Sequence, residues 1–376
     1  MPQLRYFTAG ESHGQCLIGV LEGFPAGLKI DPEAVSRDLA RRQKGYGRGG
    51  RMKIEADQAE ILSGVRLGET IGSPIALMVK NRDFKINELP PVTKPRPGHA
   101  DLAGVIKYDR QDARDILERS SARETTVRVA IGAICKQLLA QVGIDIVGHI
   151  VSLGAVQAKT DGLTFAEIRR RSEASEVRCA DPDGEKRMIE AVDEAKSRGD
   201  TLGGVFEIIA VGCPVGLGSH VQWDRKLDAN LARALMSIQA IKGVEVGLGF
   251  EAARRFGSQV HDEILPGQEG VLSRASNNAG GFEGGMTNGQ PVVVRVAMKP
   301  LSTLMKPMRS VDIQTGEEVK ATVERSDVCA TPAAAVIGEA VVAFELARAL
   351  LDKFGGDSIR ELKRNVDSYR EACKRW

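Results

Sequence analysis

The sequence predicts a mixed α and β protein folded as a single compact unit over residues 1–376. Three observations carry that prediction. Segments with apolar residues every three or four positions are interspersed with shorter segments that alternate in polarity, without the regular rhythm of a doubly wound βαβ sheet. No low-complexity linker or internal repeat divides the chain. Apolar residues make up 42% of the chain, enough at this length to build a sizeable core.

The elements follow from local chemistry. Cys16 to Leu21 reads as a strand. Asp31-Pro32-Glu33 with Val35 and Leu39 is an N-cap, a proline at the first helical position and a short amphipathic helix to about Gln43. Pro74 to Lys80 is a strand, Val127 to Val142 a helix ending at Gly143, and Ile144 to Ser152 a strand. Thr164 with Glu167 forms a capping box. Gly204 to Val211 is a strand, Leu227, Leu231 and Leu235 a helical stripe, and Val244 to Phe250 and Pro291 to Met298 strands. Thr331-Pro332 opens an alanine-rich helix to about Phe354.

Charge and cysteines narrow the class. A net charge of +2 argues against a nucleic-acid or membrane-surface role, because such proteins carry a large basic excess. Positive charge is instead local: Arg37, Arg41, Arg42, Lys44, Arg48 and Arg51 face a single acid, Asp38, which suits a small ligand with several anionic groups. Arg37 and Arg41 fit a solvated helix face equally well. The six cysteines are scattered, with neither C-x-x-C pairs nor metal-ligand spacing. A reduced, cytoplasmic protein without a metal site is expected. No signal peptide or membrane span is expected either, since no apolar run is long enough. No Gly-x-Gly-x-x-Gly opens a helix after a strand and no Walker lysine motif occurs, so dinucleotide and P-loop folds are weak readings.

Chemistry concentrates in loops. Two of the five histidines lie in Gly10-Glu11-Ser12-His13-Gly14 and Arg96-Pro97-Gly98-His99, tightly turned backbone where an imidazole can meet a ligand. His149, within Ile146 to Val151, reads as a core histidine. Arg119-Ser120-Ser121-Ala122-Arg123-Glu124-Thr125 falls at or before a helix N-terminus, where free N–H groups and the dipole favour anions. Gly45 to Arg51 is a flexible arginine-bearing loop. Ser237 to Glu245 turns from helix end into strand, and Asn277 to Gly285 is glycine-rich. Lys299-Pro300-Leu301-Ser302-Thr303 follows a strand, and Arg325-Ser326-Asp327 precedes a capped helix. Each offers backbone donors or small polar groups at an element end.

In this order, these segments closely resemble the chorismate synthase family from Thr8 to about Ala340, in Gly-Glu-Ser-His-Gly, Gly-Tyr-Gly-Arg-Gly, Arg-Pro-Gly-His-Ala-Asp and Arg-Ser-Ser-Ala-Arg-Glu-Thr above all. The resemblance implies an α+β fold, a β-α-β sandwich with helices enclosed between two sheets, assembled as a homotetramer. It implies conversion of 5-enolpyruvylshikimate 3-phosphate to chorismate and phosphate, an anti-1,4-elimination in aromatic amino acid biosynthesis that uses reduced FMN without net redox change. His13 would donate a proton to the leaving phosphate with Ser12 beside it, His99 would face flavin nitrogen 1, and Asp327 would relay the proton from nitrogen 5. Arg42, Arg48, Arg96, Arg123 and Arg325, with Arg51 in addition, would surround the substrate. Arg119, Ser120, Ser121, Gln239, Ala240, Gly284, Lys299, Pro300, Leu301, Ser302, Thr303 and Arg325 would line FMN. Arg42 and Arg48 are also where the family would meet NADPH, although substrate binding explains them equally. An external flavin reductase is a further implied partner.

Two rivals stay in view. An NADPH-dependent flavin reductase would share the flavin loops and the basic pocket but consume NADPH at every turnover. An RNA-binding module on Arg37 to Arg51 would have a single aromatic, Tyr46, for base stacking.

Overall fold

The computed structural model describes residues 4–49, 56–267, 272–324 and 326–375. Two antiparallel sheets form its outer layers. One contains β1 (Arg5–Ala9), β2 (Cys16–Glu22), β3 (Ala59–Ile61) and β4 (Ile75–Lys80) in the order β1-β2-β4-β3. The other contains β5 (Asp145–Leu153), β6 (Val156–Gln157), β7 (Gly204–Val211), β8 (Ile241–Val246) and β9 (Val292–Met298) in the order β8-β9-β7-β5-β6. Alternation decides which face is covered: Val292, Val294, Val296 and Met298 of β9 are buried while the residues between them are partly exposed.

The described helices are α1 (Pro32–Gln43), α2 (Asp101–Tyr108), α3 (Arg114–Ser120), α4 (Thr125–Ala140), α5 (Phe165–Ala174), α6 (Pro182–Ser197), α7 (Leu227–Met236), α8 (Thr331–Phe354) and α9 (Ile359–Cys373). Every residue of α8 from Thr331 to Ala347 is buried. A helix apolar all round must be covered all round. The second sheet covers one side of α8 and α4 the other, while α4 lies on the first sheet, where Val127 clusters with Leu17 of β2 and Val79 of β4. The architecture is the α+β sandwich with enclosed helices.

Small residues permit the close approach. A Cβ on Gly338 would meet Phe206 of β7 at 2.7 Å, and one on Gly132 would meet Ala340 Cβ at 2.3 Å and its Cα at 2.4 Å. The charges inside this packing are paired. Glu339 of α8 accepts from Arg41, Lys136 and Arg178, and Asp38 and Glu173 complete the group. Burial alone would push Glu339 up, but Lys136, Arg41 and Arg178 hold it well below the usual carboxylate range. Its contribution to stability is therefore fully present above the ordinary glutamate range, declines as pH drops below that range, and is gone once pH falls through the lowered folded value.

Some expected elements shift. The strand expected at Val244 to Phe250 runs from Ile241 to Val246, and Gly247 and Gly249, at φ +56°, turn the chain into a 3-10 segment, Gly249–Arg254. The helix expected from Val127 begins two residues earlier at Thr125. The N-cap position of α8 is Ala330, which supplies no side-chain cap. Arg37 pairs with Asp31 on the surface, whereas Arg41 joins the buried Glu339 group instead of a solvated face.

Gly132→Ala tests the α4–α8 contact. Overpacking costs about 1–3 kcal/mol, and the clash is partly with backbone, so it outweighs the roughly 1 kcal/mol alanine gains in helix propensity. The denaturant midpoint should fall; an unchanged or raised midpoint would contradict the packing.

Candidate active site

α1 ends, and α4 and α8 begin, around one cavity of about 450 Å³, a volume suited to a small-molecule ligand. The Ser120 to Arg123 stretch that lines it runs from the C-terminal end of α3 into the 3-10 turn before α4, so it precedes that helix rather than forming its N-terminus. The cavity collects distant sequence segments: Ser12, His13, Arg42, Arg48, Arg96, His99, Ser120, Ser121, Arg123, Gln239, Ala240, Lys299, Leu301, Ser302, Thr303 and Asp327 all line it. Ala333, Ala334 and Ile337 of α8, with Leu117, Ile238 and Met298, supply an apolar wall. Sequence reading did not assign these, although the alanine-rich start of α8 was the signal for a flat surface.

Other expected residues lie elsewhere. Arg119 turns away, its guanidinium donating to the carbonyls of Thr8 and Gly10 at 2.9 and 2.8 Å. Gly284 turns the hairpin between Phe282–Glu283 and Met286–Thr287, outside the cavity wall. Pro300 also does not line it. Arg51 and Arg325 lie outside the described residues. His149 is fully buried with Nε2 3.1 Å from Glu207, as expected of a core histidine.

The arginines are buried and held by carboxylates. Arg42, 3% exposed, donates to Thr125 Oγ1 at 3.1 Å and to the Ala122 carbonyl at 2.9 Å, and meets Asp57 at 3.4 Å. Arg123 donates to the same Asp57 and to Asn81 Oδ1 at 2.9 Å. Burial pushes Arg42 down to about 10; Asp57 opposes this, and the nearby charges of Arg48 and Arg123 add to it. Arg48 pairs with Asp327 at 2.8 Å, and the same carboxylate accepts the Gly49 N–H at 2.6 Å. Arg96 donates to Asp101 through Nε at 2.9 Å and to Thr303 Oγ1 at 2.8 Å, which ties the Arg96 turn to the Lys299 segment.

The remaining wall is polar. Ser121 Oγ donates to Ser12 Oγ at 3.2 Å. Lys299 Nζ donates to Ser302 Oγ at 3.0 Å; burial, then the charge of Lys242, lowers its pKa. Ala240 sits at φ +67°, a strained conformation for a residue with a Cβ, while its carbonyl accepts the Lys299 N–H at 2.9 Å. Gln239 Oε1 is buried without a hydrogen-bond partner among the described residues, an acceptor in need of a ligand N–H.

Arginines, a lysine, two histidines and an apolar wall thus converge on one cavity. The chain belongs to the chorismate synthase family, whose model matches residues 4–351. It is 60% identical to a chorismate synthase of Geobacter sulfurreducens, over 98% of each chain, and 56% identical to chorismate synthase 1 of Bacillus cereus strain ZK / E33L, over 99% of this chain and all of that one. A crystal structure of chorismate synthase, 46% identical, superposes with a TM-score of 0.83 over the full length of both chains.

Asp57 holds two of the cavity's arginines. Asp57→Ala would take their shared carboxylate from two buried guanidiniums, and breaking a buried pair in this way costs about 3–5 kcal/mol. Denaturant unfolding measures it; a loss below about 1 kcal/mol would show that Asp57 does not hold the pair.

Proposed function

We propose that this protein converts 5-enolpyruvylshikimate 3-phosphate to chorismate and phosphate, with reduced FMN bound and no net redox change. The observation that carries the reading is the convergence of Arg42, Arg48, Arg96, Arg123 and Lys299 on one cavity. The substrate brings a phosphate and two carboxylates, and guanidinium forks bind such groups at two points. The unpartnered Gln239 carbonyl, the apolar wall from α8 and the Lys299 to Thr303 segment fit a flavin ring and its phosphate chain. When bound, reduced FMN supplies electron density as phosphate leaves and a basic nitrogen for the departing proton.

The chain's own work is binding, orientation and proton placement. The phosphate leaves from carbon 3 with the bonding pair, and the proton lost from carbon 6 balances it. His13 donates to the departing phosphate, and Ser12 positions it. His99 faces the flavin, and Asp327 takes the proton onward, with Arg48 and Gly49 holding its carboxylate. Arg42 is so deeply buried that an anion inside the cavity suits it better than NADPH across the mouth. A single domain, a homotetramer and a cytoplasmic setting complete the proposal. No helix among the described residues is long and apolar enough to cross a membrane.

The test is an anaerobic reaction with chemically reduced FMN. Chorismate and phosphate should appear in equal amounts with the flavin still reduced; flavin oxidation or NADPH loss in step with turnover would favour a flavin reductase. His13→Ala and His99→Ala should each lower turnover by roughly a hundredfold or more with the fold intact. Near-normal rates would remove that residue from the reaction.

Asp327→Asn separates binding from chemistry. The amide oxygen keeps one of the two bonds, from Arg48 or from the Gly49 N–H, and the side chain keeps its shape, so FMN and substrate titrations should change far less than single-turnover rates, which fall by about a hundredfold. A large affinity loss with an unchanged chemical step would assign Asp327 to binding.

A further inference from the structure

Behind each cavity histidine stands a carboxylate that does not itself line the cavity. Glu118 of α3, 2% exposed, accepts the backbone N–H of His13 through Oε2 at 2.8 Å, and its Oε1 lies 2.9 Å from His13 Nδ1. Its backbone carbonyl also accepts the Ser12 N–H at 2.9 Å. Asp101, fully buried at the start of α2, accepts the backbone N–H and Nε of Arg96 through Oδ2 at 3.0 and 2.9 Å. Its Oδ1 lies 2.5 Å from His99 Nδ1. The two dyads come from different helices and different turns yet share a geometry: one oxygen accepts a backbone N–H and the other is the nearer to Nδ1. Glu118 Oε2 is itself 3.1 Å from His13 Nδ1, and Arg96 Nη2 lies 3.1 Å from both Asp101 Oδ1 and His99 Nδ1, so the shorter contact to the carboxylate decides the proton on His99.

Burial alone would raise both carboxyls. The hydrogen bonds and charges of His13 and Arg114 for Glu118, and of His99 and Arg96 for Asp101, hold both below their ordinary range, so they are ionised acceptors at neutral pH. An ionised carboxylate offers only lone pairs, so the nitrogen facing it must carry a proton. On the far side of His13, Asp83 Oδ2 is 3.7 Å from Nε2, beyond hydrogen-bond distance.

We infer that Glu118 and Asp101 are positioning residues that fix His13 and His99 as Nδ1–H tautomers and leave Nε2 as the ring nitrogen each presents to ligand. The inference deepens the proposed reaction and depends on it only for the identity of that ligand. It gives the elimination a defined atom at each histidine: the ligand-free ring keeps its proton on Nδ1, Nε2 of His13 takes up a second proton with the substrate and donates that one to the departing phosphate, and Nε2 of His99 faces the flavin side.

The amide variants test this. In Glu118→Gln the amide oxygen that keeps the His13 backbone N–H puts NH₂ in place of Oε1, the oxygen nearer Nδ1. In Asp101→Asn the oxygen that keeps the Arg96 backbone N–H and Nε puts NH₂ in place of Oδ1, where it faces His99 Nδ1 and gives up the bond from Arg96 Nη2. A donor there requires a bare Nδ1 and moves the proton to Nε2. An inverted tautomer of this kind lowers turnover about ten-thousandfold in the serine protease triad.

The experiment is nitrogen NMR of the ligand-free full chain labelled at histidine; with five histidines in the chain, single His→Gln variants assign the signals. The wild type should show neutral His13 and His99 protonated at Nδ1, Glu118→Gln should move the proton to Nε2 in His13 alone, and Asp101→Asn in His99 alone. Turnover of each variant should fall at least about a hundredfold; FMN and substrate affinities should hold within about threefold in Glu118→Gln, whereas Asp101→Asn also loosens Arg96, so the tautomer is its readout. A wild-type spectrum whose neutral form carries the proton on Nε2 in either ring overturns the inference for that dyad, and needs no variant to fold. A variant that keeps the Nδ1 proton, or a Glu118→Gln variant that loses affinity and turnover together, also overturns it. The spectra need no substrate, so both Nδ1–H signals would bear out the positioning role even in a protein that formed no chorismate.

Discussion

Guanidinium groups taken out of water must be given carboxylates, and that requirement organises the end of the sandwich where the cavity lies. Arg42 and Arg123 share Asp57, Arg96 is locked by Asp101, and Arg48 by Asp327. Arg123 with Asp57 and Arg48 with Asp327 join segments far apart in sequence, so holding those charges also closes the site, while Asp101 braces the turn that carries Arg96. Lys299 adds a further cation to the cavity wall, bonded to the Ser302 hydroxyl.

The second constraint is α8. Because it is apolar on every side, it needs a sheet on one face and α4 on another, and the layered fold follows. The same packing aims the start of α8 into the cavity, where Ala333 and Ala334 form part of the wall. Core and site are thus two stretches of one helix: close packing at Gly338, and of Ala340 against Gly132 of α4, fixes the direction in which Ala333 and Ala334 face the cavity.

Much of this was legible from residue pattern. Proline at the first turn marked α1 and α8, and the Thr164 capping box marked α5. The same Asp-Pro signature at Asp181-Pro182, which starts α6, went unread because no motif drew attention to that segment. The short α2 and α3 carry no side-chain cap at their N-termini, so local signals were weak there. At the site, glycine-flanked histidines and clustered arginines were readable because exposed loops keep their chemistry visible. Glu118, Asp57 and the Asp101 partnership were not, since a carboxylate's role behind a histidine or between arginines exists only after the chain folds. Arg119, a motif residue, has its guanidinium on the Gly10 and Thr8 carbonyls in the turn after β1, a contact that no sequence pattern announces.

The account's central claim is that one cavity holds both the phosphorylated substrate and the flavin, with His13 and the arginines on the substrate and Gln239, Ala240 and the Lys299 segment on the flavin. A crystal structure of the protein with oxidised FMN and 5-enolpyruvylshikimate 3-phosphate tests it most directly. The account predicts phosphate within hydrogen-bond distance of His13 Nε2 and the flavin ring against Gln239 Oε1 and the α8 wall. Either ligand seated outside this cavity, or a phosphate remote from His13, would contradict it.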